Sequence, residues 1–445
     1  TANVVFYVNA NRVMSVRRIN FSGNLKTDDS VLRREMRQFE GAQASAEKID
    51  LSKVRLQRLG FFSDVKIDNA RVPGTTDQVD LNVAVTEQPS GSISASLGYS
   101  QNAGLVFGAN VSQSNFLGTG NRVSIGLNRS DVRDAYNVSF LNPYFTPEGI
   151  SRGYNFYLRQ TKLDDLNISN YSTDSMGANI SFSYPIDETE TISFSAGIDQ
   201  TEISLGVNPS EAVFNFTKDN GNSLMTYTTS AAWSRNTLNR GTFPTAGASQ
   251  SVALELGLPG SDVSFYKLTY NAQRYFPVRH DWVGRGYARL GYGDALSGDS
   301  LPFYRNFFGG GFGSVRGFRD NSMGPRSQRL SLSNPAVLLP ESESIGGNVQ
   351  VEGGVELIFP VPFIEDKSKI RTLAFFDVGN IFDTNSNSTS TTDFKPSISN
   401  LRYSVGVGLS WITPIGPLTF AVAKPLNTKE GDDTQAFQFS LGQGF

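Results

Sequence analysis

Residues 89–445 place an apolar side chain at every second position in segment after segment, and this alternation restricts the fold more than any other feature. The first segment sets Ile93, Ala95 and Leu97 between serines and glycines, and similar segments follow as far as Phe439. A period of two is that of a β-strand with one apolar face. We count about 16 such strands, an even number as single-chain bacterial barrels require.

A soluble all-β protein, such as a sandwich or a propeller, is the alternative explanation of this alternation. The intervening residues are mostly Ser, Asn, Gly, Arg and Gln, which suit a water-filled lumen better than a packed core. Connections alternate between short and long, the longest at 204–222, about 294–347 and 381–400. No stretch approaches the roughly 18 apolar residues of a membrane-spanning helix. The sequence therefore predicts an all-β, antiparallel, 16-stranded transmembrane β-barrel over 89–445.

Residues 10–88 are predicted to form a separate α+β domain. Its elements are a strand at 16–21, a helix that starts at Thr27 or Asp28 and carries Leu32, Met36 and Phe39, a helix between Ser45 and Gly60, and strands around 65–67 and 79–85. Residues 1–9 echo the last of these strands. We interpret them as the tail of a preceding copy of the same domain.

Composition argues against several classes of function. The chain has no cysteine, one histidine (His280) and a net charge of -3. Disulfides and thiolate metal sites are therefore excluded, and a nucleic-acid footprint would need a positive excess. The acidic pairs at 164–165 and 432–433 are interpreted as surface-loop acids. We predict no enzyme, no cofactor and no metal.

The segment 308–318, Phe-Gly-Gly-Gly-Phe-Gly-Ser-Val-Arg-Gly-Phe, is more specific. It is similar to the sixth surface loop of the superfamily of the outer-membrane assembly factor BamA, whose hallmark is Val-Arg-Gly-aromatic. Here the hallmark is Val315, Arg316, Gly317 and Phe318. Further matching segments lie at 142–145, 239–245, 375–380 and 413–418. The α+β domain resembles a POTRA domain, so the resemblance covers nearly the whole chain and implies the membrane-proximal POTRA, with other repeats missing.

The resemblance implies acidic partners for Arg316 inside the barrel. Strand parity supports candidates, because an outward Val355 leaves Glu352 and Glu356 inward and an outward Phe376 leaves Asp377 inward. The resemblance identifies Glu356 and Asp377 as the partners. Without it, Arg316 would be interpreted as a solvated loop charge.

The first and last strands are predicted to meet in a weak lateral seam. Its candidate residues are Ser94, Ser96 and Tyr99 on the first strand, and Phe439, Gly442 and the final aromatic Phe445 on the last. Small side chains give little cross-strand packing, and the resulting edge could be extended by an incoming strand. The residues alone equally allow glycines that merely relieve crowding. The resemblance favours the seam.

The resemblance implies the central subunit of the machinery that folds and inserts β-barrel proteins into the bacterial outer membrane, with the POTRA domain in the periplasm. Expected partners are nascent β-barrel clients, the lipid bilayer and periplasmic lipoprotein subunits, the latter docking at Arg33, Arg34 and Glu40. No nucleic-acid partner is expected. A polypeptide-translocating pore of the two-partner secretion type and a diffusion porin remain the alternatives.

Overall fold

The computed structural model describes residues 13–101, 103–162, 170–279, 281–297, 300–331, 334–361, 369–385, 395–413, 416–429 and 431–442. The predictions for residues 1–9, 164–165, His280 and Phe445 lie outside these ranges. Within them, no helix is both long and apolar enough to cross a membrane. Contacts divide the chain into two compact units. The first comprises the described part of residues 1–93 with 111–124 and 140–148, and the second comprises the remainder.

The N-terminal part of the first unit has the predicted order of strand, helix, helix, strand and strand. Its elements are β1 (Ser15–Ser22), α1 (Asp29–Glu35), α2 (Ala46–Arg58), β2 (Phe62–Arg71) and β3 (Gln78–Glu87). The strands form a sheet of order β1-β3-β2, with β1 parallel and β2 antiparallel to β3. Alternate residues of β3, including Leu81 and Val83, are fully buried against the helices.

Local sequence explains both ends of α2. The Ser45 hydroxyl accepts a hydrogen bond from the Lys48 amide at 3.4 Å, so it caps the first turn. Leu56 is fully buried in the domain core. Gly60 follows the helix with a φ of +73°, a conformation that glycine adopts without strain.

The prediction for α1 was wrong at its C-terminal end. The helix stops at Glu35, Met36 is extended and buried, and Phe39 is 61% exposed. The hydroxyl of Ser52 on α2 accepts hydrogen bonds from the amides of Arg37 and Gln38. These amides are therefore satisfied without a further helical turn.

The barrel is a closed antiparallel sheet of 16 strands in which the last strand lies beside the first. Its strands are β4 (Gly91–Ser100), β5 (Gly104–Phe116), β6 (Asn121–Arg129), β7 (Arg133–Asn142), β8 (Ser151–Lys162), β9 (Tyr171–Pro185), β10 (Glu190–Leu205), β11 (Ser223–Asn236), β12 (Gly247–Gly257), β13 (Ser264–Arg279), β14 (Trp282–Ser297), β17 (Val349–Phe359), β18 (Ile370–Phe382), β19 (Arg402–Thr413), β20 (Gly416–Pro425) and β21 (Phe437–Leu441). The predicted strand number is confirmed. We call the end of the barrel at which β4 begins the near end, and the opposite end the far end.

Strand parity matches the predicted alternation. Ile93 is 84% exposed and Val355 59% exposed on the outer surface, whereas Glu356 and Asp377 are buried on the inner one. This is the distribution that a lipid-facing exterior and a polar lumen require.

Two long connections carry structure of their own. The connection between β10 and β11 contains α3 (Glu211–Asn220), a short helix that was not predicted from the sequence. Its cap, Ser210, accepts from the Val213 amide, and Val213 is buried against Phe303. The connection from β14 to β17, which we call loop six, contains the hairpin β15 (Arg326–Ser331) and β16 (Asn334–Ser344).

Candidate functional site

Loop six turns back on itself around the Val-Arg-Gly-Phe motif, and its own sequence explains why. Val315 and Phe318 are fully buried and pack with Met323 in a small apolar cluster. Gly317 has a φ of +94°, and a Cβ there would lie 3.1 Å from the Ala423 side chain. Only glycine fits this turn without strain. The turn therefore fixes the direction in which Arg316 points.

Arg316 lies beside the two carboxylates that the resemblance implied. Its Nε is 2.7 Å from Asp377 Oδ2, and its Nη2 is 2.8 Å from both Asp377 Oδ1 and Glu356 Oε1. Its backbone amide also donates to Asp377 at 3.2 Å, and its guanidinium lies 3.6 Å from the ring centre of Phe375. The two-pronged contact with Asp377 uses the planar fork of arginine, which lysine lacks. We call Arg316, Glu356 and Asp377 the arginine lock.

Two residues of β14 complete the lock and were not predicted. Arg285 Nη1 donates to Glu356 Oε2 at 3.0 Å, so Glu356 bridges two guanidinium groups. The Tyr287 hydroxyl donates to Asp377 Oδ1 at 2.9 Å. Both residues have inward parity on β14, which is a visible signal, but many inward residues share it. Only the register between β14 and β17 selects these two.

Ser314 makes a further contact between loop six and the barrel wall. Its hydroxyl donates to Glu352 and accepts from the amide of Gly310. Glu352, which parity placed inward, is 3% exposed. The motif turn is thus attached to the same strand, β17, through a neutral donor as well as through the arginine lock.

Arg305, which was not predicted from the sequence, anchors the beginning of loop six to another part of the barrel wall. Its guanidinium lies 3.3 Å from Asp199 on β10 and 3.4 Å from Glu255 on β12. Its carbonyl accepts from Lys267 Nζ at 2.7 Å. Loop six is therefore held by arginines at two separate places on the barrel wall.

The junction of β4 and β21 contrasts with every other strand pair whose register is defined. Within the described residues β21 pairs with β4 at two positions, Ser440 with Ser100 and Leu441 with Tyr99, both toward the far end. Residues 91–97 of β4, which include Ser94 and Ser96, are exposed. By comparison, β13 and β14 pair at 15 positions.

Few side chains cross this seam. The rings of Tyr99 and Phe439 stack with centroids 5.7 Å apart. Gly98 is buried directly against the last strand, where a Cβ would lie 2.6 Å from the carbonyl oxygen of Leu441. Gly442 has a φ of +78°, and a Cβ there would lie 2.8 Å from the carbonyl oxygen of Leu97. The glycines thus permit close approach of the two strands here.

The three residues proposed for partner docking have different surroundings. Arg33 and Glu40 form a half-exposed pair at 3.4 Å, and Glu40 also accepts from the amide of Ile19 on the edge of β1. Arg34 does not lie on a free surface. Its guanidinium stacks on Tyr144 at 4.6 Å, within the first unit, and is partly buried there. The aromatic ring of the 142–145 segment therefore occupies this arginine.

Glu87 holds the turn that precedes α1. Its carboxylate accepts from the amides of Lys26 and Thr27 at 3.1 and 2.7 Å. Burial acts to raise the pKa of Glu87, but the hydrogen bonds from Thr27 and Lys26 outweigh it, so the pKa lies below its usual range. Glu87 therefore stays ionised and keeps the turn against the last strand of the sheet.

The acidic pair at 432–433 is engaged by arginines. Arg402 contacts Asp432 through two hydrogen bonds of 2.6 and 3.0 Å, and Arg319 of loop six lies 3.3 Å from Asp433. In the described part of the chain, no group of three or more histidine, cysteine or acidic residues is arranged to hold a metal ion.

Comparison with known proteins places this architecture. The profile of the Omp85 superfamily domain matches residues 115–445, and that of the POTRA repeat, described as a surface antigen variable number repeat, matches residues 14–88. The outer membrane protein assembly factor BamA of Neisseria meningitidis serogroup B is 34% identical over 100% of this chain and 58% of its own length. The chain thus spans little more than half the length of this relative.

Solved structures agree. A crystal structure of BamA from Haemophilus ducreyi lacking POTRA domains 1-3 matches with a TM-score of 0.85 and 33% identity, covering 97% of this chain and 85% of that one. CdiB from Escherichia coli matches with a TM-score of 0.62 at 16% identity over 96% of this chain and 76% of that one, which shows a shared fold alone. The POTRA domain accordingly lies in the periplasm, and the chain belongs to the Omp85 superfamily of outer-membrane proteins, as a homologue of BamA.

Proposed function

We propose that this chain folds and inserts client β-barrel proteins into the outer membrane through the seam between β4 and β21. The observation that carries the proposal is that β21 pairs with β4 at two positions in the described residues, fewer than any other strand pair with a defined register. Backbone groups within a bilayer must be paired, so a short ladder leaves β4 as an edge to which another strand can add.

In the part of the chain that the structure describes, β21 pairs with β4 at Tyr99 and Ser100, toward the far end. An unfolded client arrives from the periplasm, where the exposed residues 91–97 of β4 begin. A strand that paired there would lengthen the sheet from the near end outward. Each added strand would then offer a new edge to the next, and client folding itself would drive insertion without a covalent step.

Loop six supports the proposal by attaching to four other strands of the barrel wall. Loop six connects β10 and β12 through Arg305, and β17 and β18 through Arg316. These contacts oppose separation elsewhere in the barrel, so opening concentrates at the seam. A loop held across the lumen also argues against an unobstructed diffusion porin.

Partner binding is proposed for the POTRA domain. Arg33 and Glu40 are half-exposed and offer a paired positive and negative charge to a lipoprotein subunit. Residues 41–44 and Glu40 already occupy the outer edge of β1, so β2 is the edge of the sheet that we propose for pairing with clients. Arg34 contributes indirectly by packing on Tyr144.

A disulfide staple across the seam tests the proposal. The chain has no native cysteine, so Ser100→Cys with Ser440→Cys forms the seam staple, and Ser195→Cys with Ser230→Cys forms a matched staple between β10 and β11. The measurement is the folding rate of a urea-unfolded client barrel added to liposomes that contain each protein. The oxidised seam staple should remove the acceleration, and the oxidised control staple should keep it.

Other outcomes would count against the proposal. If the oxidised seam staple still accelerates folding, the seam is not the route. If the reduced protein gives no acceleration but passes unfolded polypeptide into the liposome interior, the translocating pore of the two-partner secretion type is the better description.

A further inference from the structure

The far end of the seam is closed mainly by glutamine side chains. The side-chain carbonyl of Gln101, just beyond β4, accepts from the Phe439 amide and from the Gln435 side chain, each at 3.1 Å. A side chain therefore takes the backbone amide of Phe439, which a longer ladder would pair with main chain. This inference rests on the proposed function, because the seam is its subject.

The same strand is attached to loop six. Gln438 is 3% exposed and faces the lumen, where its amide donates to the Phe318 carbonyl at 2.9 Å and accepts from the Gly317 amide at 3.4 Å. Next to it, the amide of Gln435 donates to the Gly317 carbonyl at 2.8 Å. The start of the last strand thus pairs with the motif turn much as it would with a strand.

The arginine lock fixes the motif turn (residues 315–318), because Arg316 directly precedes Gly317. A continuous path of hydrogen bonds leads from Asp377 through Arg316, the Gly317 peptide and Gln438 to the last strand. We infer that Gln438 is a positioning residue that makes opening of the seam depend on the seating of loop six. When the motif turn leaves its place, β21 loses the contacts that hold its far end.

Glutamine is suited to this role by its length and its chemistry. A primary amide donates and accepts at once, which matches the carbonyl of Phe318 and the amide of Gly317. Asparagine has the same groups but is one methylene shorter, and glutamate of equal length can no longer donate when ionised. Gln438→Asn and Gln438→Glu therefore both remove the hydrogen bond to Phe318 and leave a polar side chain of similar size.

Two buried serines provide positions at which opening of the seam can be measured. Ser440 on β21 and Ser404 on β19 are 2% and 0% exposed, and neither hydroxyl has a hydrogen-bond partner in the described part of the chain. Each is replaced separately by cysteine, and labelling by a maleimide in liposomes measures how often it becomes accessible. Gln438→Asn should speed labelling at position 440 by about 3- to 10-fold, the size expected for one or two hydrogen bonds, and leave position 404 unchanged.

A double variant tests the coupling to loop six. Arg316→Lys keeps the charge but loses the two-pronged contact, so it should also speed labelling at position 440. If Gln438 acts through the motif turn, the double variant Arg316→Lys with Gln438→Asn should label at position 440 little faster than either single variant. Fully additive effects would overturn the coupling, as would equal acceleration at positions 440 and 404 or no change at 440. Gln438→Glu provides the same readout if the asparagine variant does not fold.

The folding of an unfolded client in the same liposomes separates this inference from the proposed function. If Gln438→Asn speeds labelling at position 440 and alters the client folding rate, both stand. If labelling responds and the client rate does not, the link between loop six and the seam stands while the seam loses its proposed role in insertion.

Discussion

The wall formed by β17 and β18 and the seam formed by β4 and β21 are both strand pairs of one barrel, but they are stabilised in opposite ways. The first pair has 11 paired positions, with Glu356 and Asp377 beneath it bound to a buried arginine. The second has two paired positions in the described residues, one aromatic stack and two close glycines. In the described residues, the two junctions therefore differ in how many contacts hold them, and loop six reinforces the first from within the lumen.

The largest effect is expected at the reinforced wall. Arg316→Ala leaves Asp377 buried without the arginine that binds it and Glu356 with Arg285 alone, so the free energy of unfolding should fall by about 3 to 5 kcal/mol. Denaturant titration followed by tryptophan fluorescence measures it. Arg319→Ala is the control, because that arginine and Asp433 are about half exposed and should contribute about 1 kcal/mol or less. Equal losses would remove the distinction between lock and surface pair.

The seam should be sensitive to added volume. Gly98→Val places a side chain against the Leu441 carbonyl, and overpacking of this kind costs about 1 to 3 kcal/mol. The yield of the disulfide between Ser100→Cys and Ser440→Cys should fall about tenfold or more. Gly286→Ala on β14 is the control, since a Cβ there meets no atom within 4 Å. An unchanged disulfide yield in Gly98→Val would mean that the seam accommodates the added side chain and that close packing at Gly98 does not hold the two strands together.

A smaller effect is expected from the aromatic stack. Tyr99→Ala removes the contact with Phe439, worth about 0.5 to 1.5 kcal/mol, and should lower the same disulfide yield by about 2- to 10-fold. The matched change is Tyr403→Ala, which removes the stack with Phe376 at 6.0 Å between β18 and β19. Those strands pair at ten positions, so a cysteine pair placed there should still cross-link fully. Equal losses at both places would contradict the contrast between wall and seam.

The smallest effect concerns the turn before α1, which is held by Glu87, a residue just before the start of β4 in sequence. Because its folded-state pKa is lowered, Glu87 stabilises this turn fully above the usual glutamate value of 4.5, and the stabilisation is lost as the pH falls through the lowered value. Hydrogen exchange at Lys26 and Thr27, corrected for intrinsic rates, should show protection that declines in that acidic range. Glu87→Gln should show weak protection throughout and no such decline. An identical pH profile in both proteins would remove Glu87 from this role.

Much of the fold could be predicted because the sequence of each strand alternates between apolar and polar residues and so indicates its two faces. The alternation around Ile93 or Val355 depends only on neighbours in sequence, and it sufficed for the strand number and for the inward parity of Glu356 and Asp377. The end of α1 was mispredicted because the hydroxyl that satisfies the amides of Arg37 and Gln38 comes from Ser52, on another helix. The helical spacing of apolar residues along α1 does not show that a side chain from another helix will bind these amides.

The candidate site divides in the same manner. The motif at 315–318 was identified by its resemblance to a known family. The positive φ at Gly317 explains why this position needs glycine. Arg285 and Tyr287 were missed because inward arginines and tyrosines occur on many strands, and Arg305 was missed because its segment of loop six has no strand pattern that would give its direction. The register between neighbouring strands and the path of loop six decide which of these residues contact one another. Neither can be inferred from the sequence of a single strand.

By itself, the sequence determined which residues face lipid and which face the lumen, since that depends on a period of two along each strand. Only the tertiary structure decided that Gln438 meets Gly317 and that, in the residues it describes, β21 pairs with β4 at two positions. Both are contacts between segments more than 100 residues apart. Their energies depend on the closure of the whole barrel, which no local pattern encodes.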